Sequence, residues 1–239
     1  MGDILIDIKA TSDYNCPYCG KSKLTPAIKK DGTKAMINAQ SGECIKYHES
    51  SSEYDELEIH AFALMLECTN PDCKASTVVA GRLEAYPYCE DMLRGYDTKF
   101  TPMFFYPPIE VLTIPDYIPE NVKKEIRRSY SIYFSDPNAS VTPLRCSIEC
   151  FLDDVGVTKS NSRETLHRRL VRFKVSNDEI ATLLLAVKWL GNDGSHYNDT
   201  LSHEDVLKGY RVLLKALENY YQDKNKAAII MADELRKGR

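Results

Sequence analysis

Two hydrophobic periodicities succeed one another along the chain. In roughly the first hundred residues, short apolar runs alternate with turn signals, whereas later segments carry apolar positions three and four apart. The runs LEIHAFALMLE, from Leu57, and STVVAGRLEAY, from Ser76, read as strands. Asp31-Gly32 lies between LTPAIKK and TKAMINA, and this dipeptide supplies the positive backbone angles of a tight hairpin. The serine- and carboxylate-rich stretch from Glu49 to Glu58 reads as an exposed loop before the first of those strands. A sheet of this size buries too little apolar area to stand alone and needs a staple.

The segment FFYPPIEVLTIPDYIPE holds four prolines, which break helices and lack the donor that a central strand requires, so it reads as an extended connector. Beyond it the helical period takes over. Pro119-Glu120 suits a helix start, and the first helix is expected to run to about Phe134. After the break at Asp136-Pro137-Asn138, Leu144, Ile148, Phe151, Leu152 and Val155 fall near one face of a second helix, ended by Gly156. Ser162 is the expected cap of ETLHRRLVRF, Ser176 or Asn177 of DEIATLLLAVKWL, and Ser202 of HEDVLKGYRVLLKALENYY. The fold class expected is therefore α+β: a small β-rich domain over residues 1–106, a connector over 107–118 and an all-α bundle over 119–239.

Composition bears this out as an ordinary globular chain, since 43% of its 239 residues are hydrophobic and the formal net charge is only -4. The acidic excess sits in the first 110 residues, and the remainder is close to neutral. No apolar run follows a basic start and none approaches the length of a bilayer span, so the expectation is a cytoplasmic protein with no membrane role. In a reducing compartment, eight cysteines point to metal ligation rather than to a disulfide framework.

Spacing then selects the ligands. Cys16-Pro17-Tyr18-Cys19-Gly20 is a CxxC knuckle, with glycine relieving the turn, and Cys68-Thr69-Asn70-Pro71-Asp72-Cys73 is a slightly wider one. Four thiolates from Cys16, Cys19, Cys68 and Cys73 would close a tetrahedral zinc site of the ribbon kind, structural because no coordination position is left for water or substrate. Cys44 and His48 have CxxxH spacing and stand as a second candidate pair, but two further partners for them are missing. Cys89, Cys146 and Cys150 have no metal spacing with suitable partners, and Cys146 and Cys150, four apart on the second helix, read as small core hydrophobes.

FFYPP before the first helix, Leu144, Arg145 and Glu149 in LRCSIECFLDDVG, and Gly191, Asn192 and His196 in GNDGSH together carry a resemblance. Over most of residues 105–222 the chain resembles an uncharacterised prokaryotic domain-of-unknown-function family with an N-terminal zinc ribbon and a helical domain of the HEPN superfamily. Many HEPN members are metal-independent RNases acting as dimers, with an arginine to hold the scissile phosphate and a histidine a few positions later to move the 2′-hydroxyl proton. The resemblance implies His196, Asn192 and Arg145 as candidate catalytic residues. Where the family arginine would stand, this chain has Gly191, and the nearest upstream base is Lys188, eight residues before His196.

That departure moves the expected function from cleavage to recognition. Arg145, Glu149, Asn192 and His196 are expected to line a ligand site or a buried polar network, in a binding or regulatory module for nucleic acid, a nucleotide or a protein partner. Such a module would be a homodimer through its helical part, and the resemblance places it in bacterial defence or toxin systems. The alternative is a dimeric metal-independent RNase. A further basic set, Lys123, Lys124, Arg127, Arg128, Arg163, Arg168, Arg169 and Arg172, reads as a solvated helix face ahead of a phosphate-binding stripe.

Overall fold

A computed structural model describes residues 14–26, 45–46, 58–90, 93–190 and 201–237. The hairpin expected at Asp31-Gly32 and the loop expected from Glu49 lie outside the described residues, as do Cys44, His48, Asn192 and His196. The chain divides into two compact units, Met1–Ile109 and Glu110–Arg239, each described here by itself.

The first unit is an antiparallel sheet of β1 (Leu24–Pro26), β2 (Ile45–Lys46), β3 (Glu58–Cys68), β4 (Ser76–Glu90) and β5 (Leu93–Tyr106). The order is β1-β3-β4-β5, and β2 pairs with the far end of β3. Alternation along β3 decides its inner face: Phe62, Leu64, Leu66 and Cys68 are buried while Ala61, Ala63, Met65 and Glu67 are exposed. Val79 and Leu83 of β4 and Phe100 and Phe105 of β5 complete that face, with the Phe62 and Phe100 rings edge to face at 5.1 Å.

The third long strand is the main departure from the sequence reading. Phe104–Tyr106, expected to open the connector, pair with Val78–Ala80 as the end of β5. Pro102 is tolerated because β5 is an edge strand and because the register shifts at this point, between Ala80 and Gly81. Gly81 makes the irregularity possible: a Cβ there would lie 2.1 Å from the carbonyl oxygen of Thr101. Pro87 of β4 faces a related allowance, since β3 pairs only as far as Ala85.

The second unit contains α1 (Glu120–Tyr133), α2 (Pro137–Asp154), α3 (Leu166–Lys174), α4 (Asp178–Leu190) and α5 (His203–Lys237). It begins before the first helix, for Ile114 and Ile118 are buried in the helical core although they lie in the proline-rich stretch. Asp136 caps α2 by accepting the Ala139 N–H at 2.9 Å, with Pro137 in the first turn. Gly156, at φ +81°, ends α2 in a Schellman arrangement: Val157 N–H bonds Leu152 O and Gly156 N–H bonds Asp153 O. The five buried or half-buried apolar residues expected on α2, Leu144 to Val155, all pack in the core.

Two boundaries differ from expectation. Thr165, not Ser162, caps α3, its Oγ1 accepting the Arg168 N–H at 3.4 Å. Residues before it are held differently, by the Asn161 side chain on Arg163 N–H and by the Glu164 carboxylate on Ser160 N–H. Ser202 does cap α5, in a reciprocal box with Asp205, but the helix runs past Tyr221 to Lys237 because no glycine or proline interrupts it until Gly238. A buried polar knot joins three helices: Ser129 of α1 donates to Ser140 O of α2 at 2.6 Å and meets the Tyr210 hydroxyl of α5 at 2.8 Å. Among the described residues, no helix is long and apolar enough to cross a membrane.

Candidate functional site

The two cysteine knuckles are built by short-range backbone bonding and then brought together by the sheet. In the first, Cys16 N–H bonds Ser22 O at 2.8 Å and Gly20 N–H bonds Cys16 O at 2.9 Å, with Gly20 at φ +64°. In the second, Cys73 N–H bonds Asn70 O at 3.0 Å, and the Asn70 side chain accepts from Asp72 N–H at 3.0 Å. The pairing of Leu24 with Cys68 sets the two knuckles side by side, and Thr69 secures them by bonding Lys23 O through both its N–H and its hydroxyl.

The result is a four-thiol cluster. The sulfur atoms of Cys16, Cys19, Cys68 and Cys73 all lie within 4.8 Å of one another, with Cys16 to Cys73 at 3.8 Å and Cys19 to Cys68 at 3.6 Å. A tetrahedral ion with metal–sulfur bonds of about 2.3 Å sets its sulfurs about 3.8 Å apart, so the donor set fits such an ion. The Asn70 N–H points at Cys68 Sγ from 3.4 Å, the bond a thiolate accepts. The thiols differ in environment: backbone hydrogen bonding, chiefly from Lys21, pulls Cys19 down to about 6, while burial pushes Cys68 up to about 12. Of these two thiols, Cys19 therefore loses its proton before Cys68.

On the outer face of the sheet, Met65, Val78 and Tyr106 lie in register across three strands, and Ala63, Ala80 and Phe104 form the adjacent row. Phe104 and Tyr106 are 51% and 67% exposed, which makes this an open aromatic surface at the knuckle end. Farther along β4 the same face turns polar, where Glu84 takes the Arg82 guanidinium and the Tyr86 hydroxyl.

In the helical unit the expected site residues do not form one pair. Glu149 is engaged by Lys159 at 3.2 Å and approached by Arg169 at 4.0 Å. Arg145, one turn earlier on α2, is half-buried and its charge bears on Lys188 of α4. Asn192 and His196 lie outside the described residues. The basic set is no common face: Arg169 is fully buried, Lys123 is buried with its amine on Asp116 O at 2.9 Å, and Arg172 grips Glu164 through two bonds of 2.9 Å. Sequence pattern gave Lys188 only as a neighbour of the GNDGSH segment. Its position within the apolar run LLLAVKWL was the available signal that it lies on the buried side of α4.

Residues 6–105 match the family model described as a domain of unknown function, DUF8608, and residues 127–237 match another domain of unknown function, DUF4145. No curated protein and no solved structure matches the chain. The chain therefore joins two regions similar to domains of unknown function, one falling in the β unit with its four-cysteine cluster and the other in the helical unit.

Proposed function

We propose that the protein is a binding module, in which a zinc-stapled β ribbon is coupled to a HEPN-like helical domain and the ligand is a nucleic acid or a nucleotide. The observation that carries this reading is the convergence of four thiols to tetrahedral spacing. A soft, all-sulfur tetrahedral set suits zinc, and with four protein ligands the ion has no open position for water or substrate. The ion's role is then to hold a sheet that its own core cannot, and binding it turns all four thiols into thiolates. What the staple presents is the outer aromatic face with Phe104 and Tyr106, suited to stacking nucleobases. The acidic balance of the first part opposes long-range attraction to polyanions, which favours a short single strand or a free nucleotide over duplex. A protein partner on the same face is the competing outcome.

A dimeric RNase is the second reading, and one observation supports it: the charge of Arg145 on α2 bears on Lys188 of α4, the helix that precedes the segment of His196, so these two cations would serve as the phosphate clamp in place of the arginine missing at Gly191. The two readings separate in one assay. Zinc-loaded protein incubated with mixed single-stranded RNA is expected to bind without cleaving, and His196→Ala to change neither product pattern nor chain length. Cleavage by the wild type that disappears in His196→Ala, with RNA affinity retained, establishes the enzyme instead.

A further inference from the structure

The helical unit compensates its buried charges, with one exception. Among the described residues its buried Lys, Arg, Asp and Glu side chains are Lys123, Glu164, Arg169 and Lys188. Lys123 has the carbonyl and carboxylate of Asp116, Glu164 has Arg172, and Arg169 has Asp153. Lys188 is only 7% exposed, and among the described residues no carboxylate is within ion-pair distance of it. Its amine lies 3.5 Å above the centroid of the Trp189 ring, and the other charge bearing on it is a second cation, Arg145.

Such a pair is unfavourable in an empty protein, because burial removes water from the ammonium and Arg145 repels it. Both costs reverse when an anion enters. Arg145 is itself free to serve, since among the described residues no carboxylate is within ion-pair distance of it, although Glu149 lies one turn away on the same helix and is instead engaged by Lys159. Helices α2 and α4 both pack on α5 here, for Leu144 and Leu190 converge on Gly209, where an added Cβ would require the Leu190 side chain to shift. The cations therefore sit on a rigid frame rather than on mobile loops.

The neighbouring aromatic ring narrows the class of ligand. Trp189 is 50% exposed, and its ring lies 6.2 Å from that of His167 on α3. Lysine occupies one face of the indole, and exposure leaves indole surface for a flat ring. An ammonium, a guanidinium and an indole together match a phosphate joined to a nucleobase.

We propose that Lys188 and Arg145 form an anion site for the phosphate of a nucleotide, either free or at the end of an RNA strand, with Trp189 beside it to stack the base. This rests on the reading of the protein as a nucleic-acid or nucleotide binder, but it places the phosphate on the helical unit and does not involve the zinc ribbon. Lys188 supplies a point charge in a desolvated position, Arg145 a planar fork, and Trp189 the preference for a nucleoside phosphate over inorganic phosphate.

The test uses the full zinc-loaded chain at low ionic strength, with inorganic phosphate, adenosine monophosphate, and a short single-stranded RNA carrying either a 5′-phosphate or a 5′-hydroxyl as probes. Calorimetry is expected to show the nucleotide binding more tightly than phosphate, and the 5′-phosphorylated strand more tightly than its hydroxyl counterpart if the strand end is the source. Lys188→Met should weaken phosphate and nucleotide binding at least about tenfold and, without ligand, melt higher than wild type, since an uncompensated buried charge has been removed. Arg145→Gln should weaken binding without the rise in melting temperature, and Trp189→Ala should bring nucleotide affinity down to that of phosphate. Wild type that binds RNA with Lys188→Met and Arg145→Gln equally tight overturns the site and leaves the nucleic-acid reading standing. Wild type that binds none of the four probes overturns both.

Discussion

The fully buried guanidinium of Arg169 lies 2.6 Å from Oδ1 of Asp153, joining α3 to the last turn of α2. The same group donates to Val157 O through Nε at 3.0 Å and through Nη2 at 2.8 Å, so the guanidinium ties the turn that follows α2 to α3. Removing it takes both of these donors from the Val157 carbonyl. Arg169→Met is expected to lower stability by about 2–3 kcal/mol, below the usual cost of breaking a buried pair because Asp153 is half exposed. Urea unfolding of the variant beside Asp153→Asn checks this, and the aspartate change should cost under about 1 kcal/mol. Equal losses in the two variants would mean that the ion pair, and not the carbonyl bonds, holds the joint.

Glu164 gives the helical unit an acid limit. Its carboxylate accepts from Ser160 N–H at 2.7 Å and from Arg172, and the Ser160 bond is the chief reason its proton affinity falls below the ordinary value of 4.5. A carboxyl whose folded value is lowered adds stability above its unfolded value and loses it as the pH drops through the folded one. Stability of wild type should therefore fall from about pH 4.5 downward with a steeper slope than that of Glu164→Gln. Parallel curves for the two proteins would remove Glu164 from the acid transition.

Gly81 is expected to be irreplaceable in the sheet. Its Cβ position coincides with the Thr101 carbonyl of the neighbouring strand, a backbone atom that cannot swing aside. Gly81→Ala should destabilise the β unit by about 1–3 kcal/mol, within the usual cost of overpacking, and hydrogen exchange along β5 should rise while that of α2 is unchanged. Unaltered exchange in β5 would contradict the account of the irregularity at Pro102.

The length of α5 bears on self-association. Among the side chains described, Tyr220 and Tyr221 are the last on α5 to pack in the core, the helix continues to Lys237, and Met231 in that extension is 62% exposed. With the apolar run AAIIM in the same stretch, a second copy is the proposed cover. Light scattering at about 50 µM is expected to give a dimer for the full chain and a monomer after truncation at Asp223, with the helical core still folded in both. A monomeric full chain sinks this proposal.

Legibility in the sequence followed the strength of the local signal. The inner faces of β3 and α2 were readable because their periods are unbroken, and the knuckles because CxxC and CxxxxC leave few alternative uses for thiols. Strand β5 was not readable, since Pro102 and Pro107-Pro108 are breakers by any local rule and only the edge position and the register shift excuse the first of them. The Arg169 joint was hidden, whereas the burial of Lys188 was signalled by the apolar run LLLAVKWL around it. A basic residue on an amphipathic helix such as α3 looks solvated until its partner on α2 is placed, as Asp153 is for Arg169.

The central claim is the zinc staple, and metal analysis with a paired variant tests it most directly. Protein purified without chelator or added metal should contain one zinc per chain by elemental analysis, and Cys68→Ser should lose the ion together with the folded signature of the β unit while the helical unit keeps its own. The coupling follows from a sheet whose two knuckles meet at the sulfur atoms of Cys16, Cys19, Cys68 and Cys73. A metal content near zero in folded protein, or a Cys68→Ser variant that keeps both zinc and stability, would contradict the account.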